Sequence, residues 1–314
     1  MTAPAQPPLV RALGRWTMVG LVINSVIGSG IFGLPDDLVR LVGHDAPLAY
    51  LLATAGIAVF MGVFAELGSQ FREAGGPYLF AREGCGRFWG IQMGWFTWLV
   101  RLTAAAANAN LFVLYLGEFW PAATSPGPRL TLLALLLGGL VLANVRGVGH
   151  GARLSNFLTT AKLVPIALLI VAGLLWSGTP VIQPAVTATP ASWLSAVLVL
   201  LFAFGGFEAA LMPLAESKDP RRDIPFALFT GLLVISACLW LTQIVAMRTV
   251  PSLGESTRPL ADAARVLVGP LGAGFIALGG WEGADTVAGL LIVAFIVPRA
   301  FILLRQAADI LLES

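Results

Sequence analysis

Charge is scarce in this chain. Asp, Glu, Lys and Arg make up 11% of its 314 residues and hydrophobic types 57%, where a soluble domain carries about 25% charge. That excludes an ordinary soluble globular protein and points to a polytopic membrane class. Cysteine occurs only at Cys85, in a polar connection, and at Cys238, inside an apolar span, which argues against a disulfide framework. His44 and His150 lie too far apart in sequence to give metal-ligand spacing. Lysine is limited to Lys162 and Lys218. Ser/His/Asp triads, Cys/His clusters and phosphate-cradling glycine loops after a strand are all missing. Glu282 and Asp285, three residues apart, share a face if helical, and nothing else resembles a hydrolase pair. The expectation is therefore no enzyme, no cofactor, no metal and no nucleic-acid partner.

What is present is a series of apolar stretches. Spans of about the 20 residues a bilayer needs are expected at 16–42, 47–68, 88–119, 130–144, 154–176, 193–214 and 226–247. An irregular eighth covers 266–304, interrupted around Trp281–Asp285. Residues 1–15, with Pro4, Pro7 and Pro8, read as a disordered cytoplasmic tail. Arg11 and Arg15 before a short apolar run imitate a signal peptide, but the many later spans outweigh that reading. With the N-terminus inside, the loops carrying Arg72, Arg82, Arg87, Arg146, Arg153, Lys218, Arg221 and Arg222 all fall on the cytoplasmic side. Arg40, Arg129, Arg248, Arg258 and Arg265 fall outside, and this bias fixes the orientation.

Two spans are interrupted. Gly28-Ser29-Gly30 divides the first, after Ile27, and Gly205-Gly206 divides the sixth, between Phe202 and Phe207-Glu208. Glycine unwinds a helix easily, and in lipid such a break survives only buried in protein or lining a wet cavity. One reading is a glycine-lined helix contact. The other is a pair of half-helix ends that bind substrate or ion near the midplane. The equal five-helix offset favours the second, because matching interruptions mark inverted-repeat transporters.

Charges inside the spans leave alternatives open. Glu208 reads as a proton acceptor or as a neutral, hydrogen-bonded structural acid. Lys162 reads as a stand-in for a bound cation, able to cycle a proton, or as a lysine snorkelling to the interface. Arg101 should face the bundle interior, where a structural pair with an acid such as Glu208 is slightly preferred. Asn108 and Asn110 read as interhelical hydrogen-bonding groups.

Five stretches together resemble the amino acid–polyamine–organocation permease superfamily, in its order and spacing. They are Gly28-Ser29-Gly30-Ile31-Phe32, Gly75-Gly76-Pro77-Tyr78, Ala161-Lys162-Leu163-Val164-Pro165, Phe202 through Glu208, and Lys218 through Pro225. The resemblance implies an all-α polytopic membrane protein with a five-plus-five inverted repeat (LeuT-like). The first repeat would cover about 16–177 and a partial second about 192–314. It also implies secondary transport of amino acids in the cell (inner) membrane, coupled to protons or to exchange. Gly28, Ser29 and Gly30 would hold the substrate carboxylate through backbone amides, with Ile27 also at the substrate site. The carbonyls around Gly205 and Gly206 would receive the amino group, with Phe202 as gate and Phe207 and Arg101 close by. Lys162 and Glu208 would carry proton coupling. The family has twelve helices, so the second repeat is expected to be incomplete here, truncated after about eight spans. A non-transporting fragment or membrane-embedded binding protein is the alternative expectation.

Overall fold

The computed structural model describes residues 14–71, 75–117, 120–145, 163–175, 178–211 and 217–269. Lys162, Glu282 and Asp285 lie outside them, as does most of the expected eighth span. The helices, in chain order, begin with α1 Arg15–Val26, α2 Ser29–Gly33, α3 Pro35–Val42, α4 Ala46–Gln70, α5 Pro77–Cys85 and α6 Arg87–Leu116. They continue with α7 Pro126–Val145, α8 Leu163–Leu175, α9 Pro190–Ala203, α10 Pro220–Thr249 and α11 Pro259–Val268. Among the described residues, four stretches, Pro35–Gln70, Arg87–Leu114, Pro190–Leu211 and Pro220–Thr249, are long and apolar enough to cross a membrane.

Several elements depart from the sequence reading, each for a local reason. The connection expected between the second and third spans contains α5, which starts on Pro77, where a missing N–H costs nothing, and stops at Gly86 with φ 93°. Helix α10 begins at Pro220 rather than Phe226, because proline at the first position and Asp223 in the first turn let the polar segment join the helix. The first span bends twice. A second corner falls at Leu34, where Pro35 opens α3.

The residues form two compact units. One takes the chain up to Trp95 together with Ile182–Met247, and the other takes Phe96–Val181 and the chain from Arg248 onward. In the second unit, Arg129 of α7 donates to Asn110 of α6 at 2.6 Å, so Asn110 does bond between helices. Further along, Ser256 Oγ donates to Asp262 Oδ2 at 2.6 Å near the start of α11.

The first unit holds the interrupted helices. Its fully buried side chains include Met18, Ile27, Ile31, Phe32, Tyr50, Met61, Leu200, Phe204 and Leu211. The segment ahead of α9 is tied down by Gln183 Nε2, which donates to the Met247 carbonyl at 2.7 Å. Thr189 and Ser192 close a capping box on α9.

Gln243 of α10 is fully buried and uses both ends of its amide. Nε2 donates to the Pro35 carbonyl at 3.2 Å, and Oε1 accepts from the Tyr50 hydroxyl at 3.3 Å. It thereby pins the corner of the first span to α4 and α10. Gln243→Leu keeps the volume but strands both partners, at a cost of about 1–3 kcal/mol. The expected result is a lower thermal unfolding midpoint in detergent. Adding Tyr50→Phe should cost little more, because the shared bond is already gone.

Candidate functional site

Helix α1 runs through an apolar segment and stops where glycine makes stopping cheap. Ile27 turns extended (φ −70°, ψ 96°), and its N–H still donates to the Ile23 carbonyl at 2.9 Å. Gly28 sits at φ −135°, ψ −145°, outside helical space. Winding resumes at Ser29, so Ser29 and Gly30 belong to the short α2 and not to the gap itself. The break occupies Ile27 and Gly28.

The second interruption has a different build. Helix α9 ends at Ala203, Phe204-Gly205-Gly206 form a turn, and Phe207–Leu211 continue as a 3₁₀ helix. Gly206 has φ 109°, which glycine alone adopts without strain. Its N–H donates to Glu208 Oε2 at 2.9 Å. Its carbonyl accepts from Ala209 N–H at 2.9 Å. The Glu208 carboxylate is thus fixed on the turn itself, capping a backbone donor at the start of the 3₁₀ segment.

The two interruptions touch. A methyl group on Gly206 would lie 2.2 Å from the Ser25 carbonyl oxygen, and one on Gly30 would lie 2.9 Å from the Ala203 side chain. Each glycine therefore brings one broken helix against the backbone of the other. No larger residue permits that approach at Gly206.

Around this meeting point the candidate side chains differ in setting. Phe202, in the last turn of α9, is 54% exposed. Phe207 is buried, edge-on to Phe64 of α4 at a centroid distance of 5.3 Å. Gly205 is exposed, and its N–H donates to the Phe202 carbonyl at 3.0 Å. Arg101 stands on α6 in the second unit, and Lys162 lies outside the described residues.

The Gly75-Gly76-Pro77 turn was legible as a motif, but its place was not. A methyl group on Gly76, which has φ 52°, would lie 3.7 Å from the Glu208 and Leu211 carbonyls. Phe80 of α5 meets Phe71 and Phe64, and Phe64 meets Phe207. The turn before the third span thus buttresses the 3₁₀ segment that carries Glu208. Its glycine pair ahead of a proline was the signal. Among the described residues, no cluster of His, Cys, Asp or Glu could hold a metal ion.

Interrupted apolar helices whose breaks meet inside one unit mark a helical integral membrane protein. The amino acid permease family model matches residues 13–300, and the chain belongs to that family, one of transporters rather than enzymes. Among curated proteins it is similar to the serine/threonine exchanger SteT of Bacillus subtilis, 29% identical over 282 residues, covering 86% of this chain and 63% of that protein. It is also similar to the arginine/agmatine antiporter of Chlamydia abortus, 29% identical over 282 residues, covering 83% of this chain and 57% of that protein. The L-lysine transport protein of Corynebacterium glutamicum is 28% identical over 286 residues, covering 86% of this chain and 56% of that protein. The chain thus spans just over half the length of these relatives.

Proposed function

We propose that the chain takes part in secondary transport of an amino acid, coupled to protons or to exchange, with the substrate held where the two helix breaks meet. The observation that carries this is the approach of Gly206 to Ser25 and of Gly30 to Ala203. It gathers interrupted backbone from two spans in one place. In this reading Gly28, Ser29 and Gly30 face the carboxylate through backbone amides, with Ile27 beside them at the substrate site, and the carbonyls near Gly205 and Gly206 take the ammonium. Phe202 closes over the ligand, with Phe207 behind it, and the family resemblance adds Arg101 to the substrate-binding set. Lys162 takes the place of a bound cation. The N-terminus is cytoplasmic, in the cell (inner) membrane.

The division into units supports a five-plus-five inverted repeat. Residues up to Trp95 and Ile182–Met247 are corresponding stretches of the two proposed repeats, 16–177 and 192–314, and they share one unit. The alternative reading is a membrane-embedded binder that does not itself transport.

Uptake of labelled amino acids into proteoliposomes separates the two. Transport predicts a saturable, pH-dependent signal that disappears in Lys162→Ala, whereas binding without any uptake supports the second reading. Glu208→Gln keeps an acceptor for the Gly206 N–H but cannot ionise. Substrate affinity is expected to stay within about fivefold of wild type while the pH dependence of uptake flattens. An unchanged pH profile in that variant removes Glu208 from proton coupling.

A further inference from the structure

At the opposite end of the first unit's long helix from Gln243 lies a recess of about 560 Å³ that the transport reading does not use. It is lined by Arg15, Trp16 and Thr17 from the start of α1, and by Lys218, Asp219 and Asp223 at the start of α10. Because α10 is long and apolar enough to span a membrane, a recess at its first turn belongs at the boundary between lipid and water.

The charges here are unevenly satisfied. Asp223 is buried and fully engaged. Arg15 Nε stands 3.7 Å from its Oδ1, while the Asp219 N–H and the Ser217 hydroxyl donate to Oδ2 at 3.1 and 3.4 Å. Asp219 has Arg222 at 3.9 Å. Lys218 in the lining, and Arg221 in the first turn of α10 outside the lining, are exposed and form no ion pair or hydrogen bond among the described residues, so one cation in the recess and one near it in sequence are left over. Trp16, which lines the recess with Lys218, is 68% exposed and braced edge-on by Phe226 at 5.2 Å, with the Arg15 guanidinium over the Phe226 ring.

We propose that this recess binds the headgroup of an anionic phospholipid. The phosphate meets Lys218 and Arg221, and the glycerol and upper acyl chains lie along Trp16. A free phosphate would account for the cations but not for a braced, uncovered indole, which suits the interfacial zone of a bilayer. The inference needs the membrane location only and stands whether or not the chain transports.

The test is native mass spectrometry of the purified 314-residue chain, with phosphatidylglycerol, phosphatidylcholine of the same acyl chains, or inorganic phosphate added. Phosphatidylglycerol is expected to bind about tenfold more tightly than phosphatidylcholine. Lys218→Ala with Arg221→Ala should erase that preference, and Lys218→Arg with Arg221→Lys should retain it. Equal binding of the two lipids, or an alanine pair with the preference intact, overturns the proposal. Inorganic phosphate that displaces the lipid at equal concentration assigns the site to a free anion and also overturns it. Should the alanine pair fail to fold, the comparison of the two lipids on the unaltered chain decides alone.

Discussion

Gly206→Ala is expected to abolish amino acid binding. The new methyl group would sit 2.2 Å from the Ser25 carbonyl oxygen, and its backbone would hold φ 109°. Backbone cannot yield as a flexible side chain can. The combined strain and overlap come to about 3 kcal/mol or more, above a hundredfold in affinity if the cost falls on the binding-competent arrangement. Gly205→Ala is the control. Gly205 has no positive φ, and its methyl would meet the Phe202 carbonyl at 3.0 Å within the same turn. Its effect should be several-fold smaller. Equilibrium binding measured on both variants beside thermal stability separates loss of the site from loss of the fold.

The second large effect is reciprocal. Gly30→Ala drives a methyl group to 2.9 Å from the Ala203 side chain and 3.2 Å from its Cα. Binding should weaken about tenfold, because the two short helix ends must part to make room. Ala203→Gly removes the opposing methyl. Alone it should cost no more than about 1 kcal/mol for a glycine at the end of α9. Combined with Gly30→Ala it should restore most of the affinity. A coupling of about 1–2 kcal/mol in that cycle is the signature of two breaks in contact. Strict additivity would mean that the glycine acts through some other neighbour.

Both breaks were legible in the sequence because glycine inside an apolar span has few structural uses. Their detail was not. Ser29 and Gly30 look like the gap, yet they wind into α2, since Ile31 and Phe32 find buried seats that hold a helical turn. The corner at Pro35 was hidden by the expectation of a single span. Gln243 was not singled out, because a lone amide in an apolar helix shows no pattern until its partners, Tyr50 and the Pro35 carbonyl, are brought to it from far along the chain. Helix α5 carried proline and glycine signals at both ends, but its charges, Arg82 and Glu83, made it read as a loop. Glu208 stood out as a carboxylate in a membrane span. That it caps the neighbouring glycine depended on the turn geometry, which spacing alone does not convey.

The proposed site makes a demand on its ligand that can be measured directly. If peptide groups of the first break take the carboxylate and those of the second take the ammonium, both ends of an amino acid must be present and unmodified. Calorimetric titration of the purified chain should show saturable binding of at least one free amino acid. Its methyl ester and its N-acetyl derivative should bind at least about thirtyfold more weakly, since each leaves one set of backbone groups unmatched. Equal binding of the ester, the N-acetyl form and the free amino acid would contradict a pocket built from the two opened helices.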